Sequence, residues 1–120
     1  VPGDRRSLGA WGERLAQVYL EGLGYRILER NLRSRLGELD LVALDGQTLA
    51  FVEVRTRRSS RLGGPEESVD GAKRARLARL AAAYLQRFPS HRGRPVRIDV
   101  VTVRIRPDGA ELGHLRNVTG

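Results

Sequence analysis

The chain has no cysteine, which excludes disulfides and thiolate metal sites and fits a reducing compartment. No apolar run approaches the roughly 20 residues that a membrane-spanning helix needs. The opening Val1-Pro2-Gly3-Asp4-Arg5-Arg6 has none of the apolar core of a signal peptide. A soluble cytoplasmic protein without membrane association is therefore expected. His91 and His114 have no histidine or cysteine partner at ligand spacing, so no zinc site is expected either. Serine nucleophile elbow, P-loop and GxGxxG patterns are all missing. Lysine is the last scarcity: Lys73 is the only one among 22 Lys+Arg. Arginine serves as well at most solvated positions, but not where a compact, titratable ammonium is wanted, which singles Lys73 out.

What is present is one domain's worth of chain with a strong positive bias. The 120 residues carry 22 Lys+Arg against 14 Asp+Glu, a formal charge of +8. That length holds one hydrophobic core and one site, so residues 1–120 are read as a single domain. Nucleic acid, DNA first, is the expected partner of such a charge, ahead of an anionic membrane surface.

The chain is organised around Gly37–Leu44 and Leu49–Arg55, two strands with acids embedded among apolar residues. Alternation puts Glu38, Asp40, Val42 and Leu44 on one face and Leu39, Leu41 and Ala43 on the other. In the second strand Leu49, Phe51, Glu53 and Arg55 form one row and Ala50, Val52 and Val54 the other. A two-residue Gly46-Gln47 turn sets Asp45 opposite Thr48 and so Asp40 opposite Glu53, whereas an Asp45-Gly46 turn makes the two acids diagonal neighbours. In the direct pairing the carboxylates sit roughly 5 Å apart and repel by about 3 kcal/mol at an effective dielectric near 20. Such a pair wants a cation. Mg²⁺ or Mn²⁺ bound to few carboxylates and to phosphate oxygens would serve phosphodiester chemistry; nearby arginines would serve structure alone.

In chain order, residues 1–6 are expected to be a flexible N-terminus. Residues 7–22 then form an amphipathic helix, with Ser7 as cap and Leu8, Trp11, Leu15, Val18, Tyr19 and Leu23 on one arc. Glu13 lies just past the edge of that arc, either solvated or reaching in from the border. Gly22-Leu23-Gly24 reads as a glycine C-cap. Residues 25–32 are a strand, Arg33-Ser34-Arg35 a basic loop, and residues 57–68 a flexible loop in which Arg57, Arg58 and Arg61 can contact phosphates. A helix over 71–87, capped by Asp70, carries the stripe Leu77, Leu80, Ala81, Tyr84 and Phe88, and Lys73 falls on that inward stripe. A lysine there opposes the helix dipole and must find an anion, lose its proton or snorkel out. Arg76, Arg79 and Arg87 flank the stripe as surface charge. Strands over 96–105 and 110–115 follow, the last at an edge, and Asp99 is read as structural, paired with Arg97 or another arginine. The order α-β-β-β-α-β-β gives an α/β fold: a mixed central sheet flanked by helices, with room for one parallel crossover.

Asp40 followed by Glu53-Val54-Arg55 resembles the PD-(D/E)xK nuclease signature. Nearly the whole chain resembles the YraN-like family of small bacterial predicted endonucleases, related in fold to archaeal Holliday-junction resolvases. The residues that carry the resemblance run from Gly9 and Glu13 through Gly24–Leu28, Asn31, Gly37–Leu41, Phe51–Arg57, Lys73, Tyr84-Leu85 and Arg97–Val101 to Asn117. The resemblance implies a restriction-endonuclease-like fold and an acidic site of Glu13, Asp40 and Glu53. Asp40 and Glu53 would hold Mg²⁺ or Mn²⁺, Glu13 would act through metal-bound water, and Glu38 would sit behind these ligands. Arg55 stands where lysine is usual in the signature; it cannot act as a base, though it can stabilise a phosphorane-like charge. Lys73 would then supply the missing lysine from the helix. The expected function is a metal-dependent endonuclease on branched or otherwise structured DNA, with phosphates held by Arg33, Arg35, Arg57, Arg58 and Arg61. A symmetric homodimer would suit two cuts at a junction. Two alternatives stand beside it: a nucleic-acid-binding accessory module of the same fold without chemistry, and a basic protein- or membrane-surface interaction domain. Only the nuclease requires Lys73 to point inward.

Overall fold

Where hydrophobic alternation and helical periodicity meet, this chain builds a five-stranded sheet with one helix on each face. The structure is a computed structural model that describes residues 3–58 and 71–118. In order, α1 (Arg5–Gly22) leads to β1 (Arg26–Ser34), β2 (Gly37–Asp45) and β3 (Thr48–Arg58), then α2 (Gly71–Arg87), a 3₁₀ turn (Pro89–His91), β4 (Val96–Arg106) and β5 (Gly109–Leu115). The strands lie in the sheet in sequence order. All neighbours are antiparallel except β3 and β4, whose parallel pairing from Leu49↔Val96 to Arg58↔Ile105 requires the α2 crossover. The expected α/β class, element order and mixed sheet are what the chain forms. Among the described residues no helix is long and apolar enough to cross a membrane.

Two apolar layers hold the helices to the sheet. Ala16 and Leu20 of α1 pack with Leu41, Ala43, Ala50, Val52, Val101 and Val103. On the opposite face, Leu77, Leu80, Ala81 and Tyr84 of α2 pack with Val42, Leu49, Phe51 and Ile98. Each fully buried aliphatic or aromatic side chain contributes about 1.5–3 kcal/mol of transfer free energy, so both helices are firmly seated.

Several boundaries differ from expectation, each for a local reason. The cap of α1 is Asp4, whose carboxylate accepts from the Ser7 N–H at 2.9 Å. A charged acceptor outcompetes the Ser7 hydroxyl beside the positive end of the helix dipole. The helix thus begins at Arg5. At its other end, Gly24 adopts φ +94 while the Tyr25 N–H bonds to Leu20 O and the Gly24 N–H to Glu21 O, the bonds of a Schellman cap. Arg33 and Ser34 continue β1, and Arg57 and Arg58 continue β3 rather than opening a loop, because β4 is long enough to pair with them. Residues 59–70, with Arg61, the rest of the expected basic loop and the Asp70 cap, lie outside the described residues.

Helix α1 lies very close to β3 at Gly12, where a Cβ would fall 1.8 Å from Thr56 Oγ1. Only glycine permits that approach. It sets the depth at which the next residue, Glu13, meets the sheet.

Candidate metal centre

The β2–β3 hairpin keeps the register that a Gly46-Gln47 turn dictates. Asp45 faces Thr48, and the ladder runs to Leu41↔Val52. One step further, where Asp40 would face Glu53, the strands part, and Asp40 Oδ2 accepts the Val54 N–H at 2.8 Å. A side chain has taken the place of a ladder bond.

A second irregularity turns the acids toward α1. The β1–β2 register passes from Arg30↔Leu41 to Leu32↔Leu39, and Asn31 between them has φ 52, a left-handed conformation that asparagine tolerates better than most residues. Alternation breaks there on both strands. Arg30 reaches Gln17 of α1, yet Leu32 packs on the α2 face. Leu41 packs with α1, yet Leu39 packs with Val42 and α2. The expected row of Leu39, Leu41 and Ala43 is therefore split. Because Leu39 has crossed over, its neighbours Glu38 and Asp40 turn to the other side of the sheet, where Glu13 comes down from α1. Carboxylate oxygens of Glu13, Glu38 and Asp40 lie within 4.8 Å of one another.

The electrostatics of this cluster are unusual for so basic a chain. Burial pushes the Asp40 carboxyl up to about 7 from the ordinary 3.8; the Val54 N–H opposes the rise, and the charges of Glu13, Glu53 and Glu38 add to it. Glu13 is likewise raised, first by burial and then by Glu38, against a hydrogen bond from Asn31. Glu38 pairs with the highly exposed Arg33 at 3.2 Å, but among the described residues no cation pairs with Glu13 or Asp40. The donor set is all carboxylate oxygen, which suits a hard divalent ion rather than zinc or copper. An octahedral ion with bonds of about 2.1 Å spans oxygens up to roughly 4.2 Å apart, so small rotamer movements would close the cluster.

Glu53 sits elsewhere. It follows Phe51 on the α2 face, and its nearly buried carboxylate meets three cations: Arg55 Nε and Lys73 Nζ at Oε2, 3.1 and 3.2 Å away, and Arg76 Nη2 at Oε1, 3.1 Å away. Lys73 thus leans inward over a hairpin acid, in keeping with its place on the stripe. The structure brings Glu13, Glu38 and Asp40 into one group and Glu53, Arg55 and Lys73 into another, with the two groups meeting where β2 and β3 diverge. Arg76, expected only as surface charge, joins the second group; its spacing of three residues from Lys73, which places the two side by side on a helix, is the signal for it. Alternation already puts Glu38 beside Asp40; that both meet Glu13 of α1 depends on the Asn31 kink, which has no such signal.

Arg33, Arg35, Arg57 and Arg58 are exposed around the hairpin's open end. Asp99 is fully buried and structural, as expected. It accepts from Arg97 Nε at 3.0 Å, His114 Nε2 at 2.8 Å and the Asn117 N–H at 3.0 Å. Burial alone would raise its pKa, but these donors bring it below the ordinary value. Tyr19 of α1 completes the network by bonding His114 Nδ1 at 3.0 Å. This cluster ties β5 and α1 to the sheet.

The chain is similar to many bacterial proteins over almost its full length. It is 53% identical over 113 residues to a UPF0102 protein of Beutenbergia cavernae, covering 93% of this chain and 95% of that protein. It is 50% identical over 115 residues to one of Mycolicibacterium vanbaalenii, covering 95% and 94%, and 54% identical over 99 residues to one of Moorella thermoacetica, covering 82% of each. The family model described as uncharacterised protein family UPF0102 matches residues 12–103, from the helix that carries Glu13 into β4, and the chain belongs to that family.

Proposed function

We propose that this protein is a Mg²⁺- or Mn²⁺-dependent endonuclease acting on DNA. The observation that carries the proposal is the cluster of Glu13, Glu38 and Asp40: in a chain of formal charge +8, Glu13 and Asp40 are left without a cation among the described residues. Stability alone would favour neutralising them with one of many arginines. The YraN-like resemblance and the PD-(D/E)xK pattern of Asp40 and Glu53-Val54-Arg55 support the same reading, as does the inward Lys73.

In this proposal Glu13, Glu38 and Asp40 hold the ion. Glu38 takes the place the motif gives to Glu53, because both Glu53 oxygens are engaged by cations. A bound divalent ion supplies a lowered water pKa and charge neutralisation at phosphate. The protein's own residues do the rest. Asp40 is held in place by the Val54 N–H, which its Oδ2 accepts. Glu53 holds Lys73 and Arg55 side by side. Lys73, an ammonium paired with Glu53, orients the attacking water, and Arg55, always protonated, stabilises negative charge building on the phosphoryl oxygens.

The test is metal titration followed by cleavage of junction, flap, duplex and single-stranded DNA, with Asp40→Ala as control. Metal-dependent cleavage that this substitution abolishes is the expected result. Binding without cleavage under any metal would leave the accessory-module reading, and cleavage that survives Asp40→Ala would reject the site.

A further inference from the structure

Two clefts open on either side of Glu13. One, of about 240 Å³, lies between α1 and the strands β1 and β2 and is lined by Arg14, Gln17, Arg30, Asn31 and Leu41. The other, of about 430 Å³, lies between the start of α1 and the end of β3 and is lined by Gly9, Val54, Thr56, Arg57 and Arg58. Glu13 lines both. Asp40 lies in the ridge between them, since it precedes Leu41 in the first cleft and bonds the Val54 N–H in the second. The acid cluster is thus flanked by two clefts, each lined in part by arginines.

We infer that the two clefts together form the track for one unpaired polynucleotide strand, gripped through its phosphates by Arg14 and Arg30 on one side of the acid cluster and by Arg57 on the other. The inference rests on the nuclease reading for the meaning of the acids between them, but the clefts are read from shape and charge. Clefts of this size admit one nucleotide-sized segment at a time and no duplex, so a strand that lies in them has its bases unpaired. Arg14, Arg30 and Arg57 are exposed, and Arg30 is steadied by Gln17 Oε1 at 3.4 Å. The walls are otherwise aliphatic and polar, with no aromatic platform among these lining residues. The grip should therefore be on the backbone and indifferent to base sequence. The substrate class is single-stranded DNA, or the unpaired segment of a flap or junction.

The experiment measures binding without chemistry: fluorescence anisotropy in EDTA, with a fluorescein-labelled 20-nucleotide oligothymidylate and a labelled duplex of the same length. The single strand should bind at least about 10-fold more tightly than the duplex. Arg14→Ala/Arg30→Ala should reduce the slope of log affinity against log salt by about 1.4, because each single-strand phosphate left unneutralised lowers it by about 0.7. Arg57→Ala should reduce it by about half as much. Arg79→Ala/Arg87→Ala, which removes the same charge from the outer side of α2, should leave the slope within error. Equal affinity for the duplex, or an equal reduction in the two double variants, would overturn the inference. Cleavage of the same oligonucleotides with metal present separates it from the nuclease reading: strand binding in a wild type that cleaves nothing supports the track and removes the nuclease, whereas metal-dependent cleavage by a wild type that binds duplex as tightly as single strand keeps the nuclease and removes the track.

Discussion

Replacing Asp40 by asparagine should stabilise the metal-free protein at neutral and alkaline pH while removing its response to metal. In the folded chain burial and the neighbouring acids hold Asp40 at about 7 instead of 3.8. The folded state therefore keeps a proton that the unfolded state releases, and wherever the native state binds more protons stability falls as pH rises. The loss begins near the unfolded pKa of about 4, proceeds at up to 1.36 kcal/mol per pH unit, and is complete just above pH 7. By this linkage Asp40 costs about 2 kcal/mol at pH 5 and about 4 kcal/mol at pH 8. Asparagine cannot ionise, has the same shape, and keeps an oxygen to accept the Val54 N–H.

Thermal unfolding in EDTA is the assay. At pH 4 the two proteins should melt together; at pH 8 the Asp40→Asn variant should be higher by up to roughly 12 °C, taking about 3 °C per kcal/mol for a domain of this size. Saturating Mg²⁺ or Mn²⁺ should then raise the wild type and not the variant, by about 2.7 kcal/mol at 100 times the dissociation constant. A variant no more stable than wild type at pH 8, or a gap of the same size at pH 4, would refute the assignment of strain to the ionised Asp40.

Gly12→Ala would drive a methyl group into Thr56. It should lift α1, cost about 1–3 kcal/mol and weaken metal binding through Glu13; Thr56→Gly, which removes the clashing atoms, should restore both by calorimetry and metal titration. Glu38→Gln should weaken metal binding while letting the pKa of Glu13 fall toward its ordinary value, since Glu38 is one cause of its rise; NMR titration of the Glu13 carboxyl in the metal-free protein checks it. Asp99→Ala leaves Arg97 and His114 without their shared acceptor and should cost about 3–5 kcal/mol in denaturant unfolding. Because the Asp99 pKa is lowered in the fold, its contribution is present above the unfolded value near 4 and is lost as pH falls through the folded one. An Asp99→Ala variant should therefore approach wild-type stability only in strong acid.

The fold was legible because its determinants are local or periodic. The stripe on α2 follows helical spacing, the buried row of β3 alternates, and the Gly46-Gln47 turn fixes the register that brings the β2 and β3 acids to one end of the sheet. Strand lengths were less so. Whether Arg57 and Arg58 continue β3 depends on how far β4 runs beside them, and nothing within either segment states that.

The site was half legible for a related reason. Lys73 could be placed inward because an apolar stripe leaves a cation nowhere else to go, and the structure gives it Glu53 as partner. The arrangement of the acids was beyond reach of alternation, because it rests on one residue of β1, Asn31, taking φ 52 opposite Asp40. Without that break Glu38 and Asp40 would face α2 and its basic residues, and they would be neutralised as Glu53 is. With it, the same end of the hairpin presents two surfaces: beneath α1 a group of acids in which Glu13 and Asp40 have no cation among the described residues, and beneath α2 a carboxylate wrapped in cations. A phosphodiester needs both, a place for a cation beside one oxygen and fixed positive charge near the others. The kink that defeats the sequence pattern is thus what separates the two kinds of charge, and a regular strand of the same composition would have spent its acids on its own arginines.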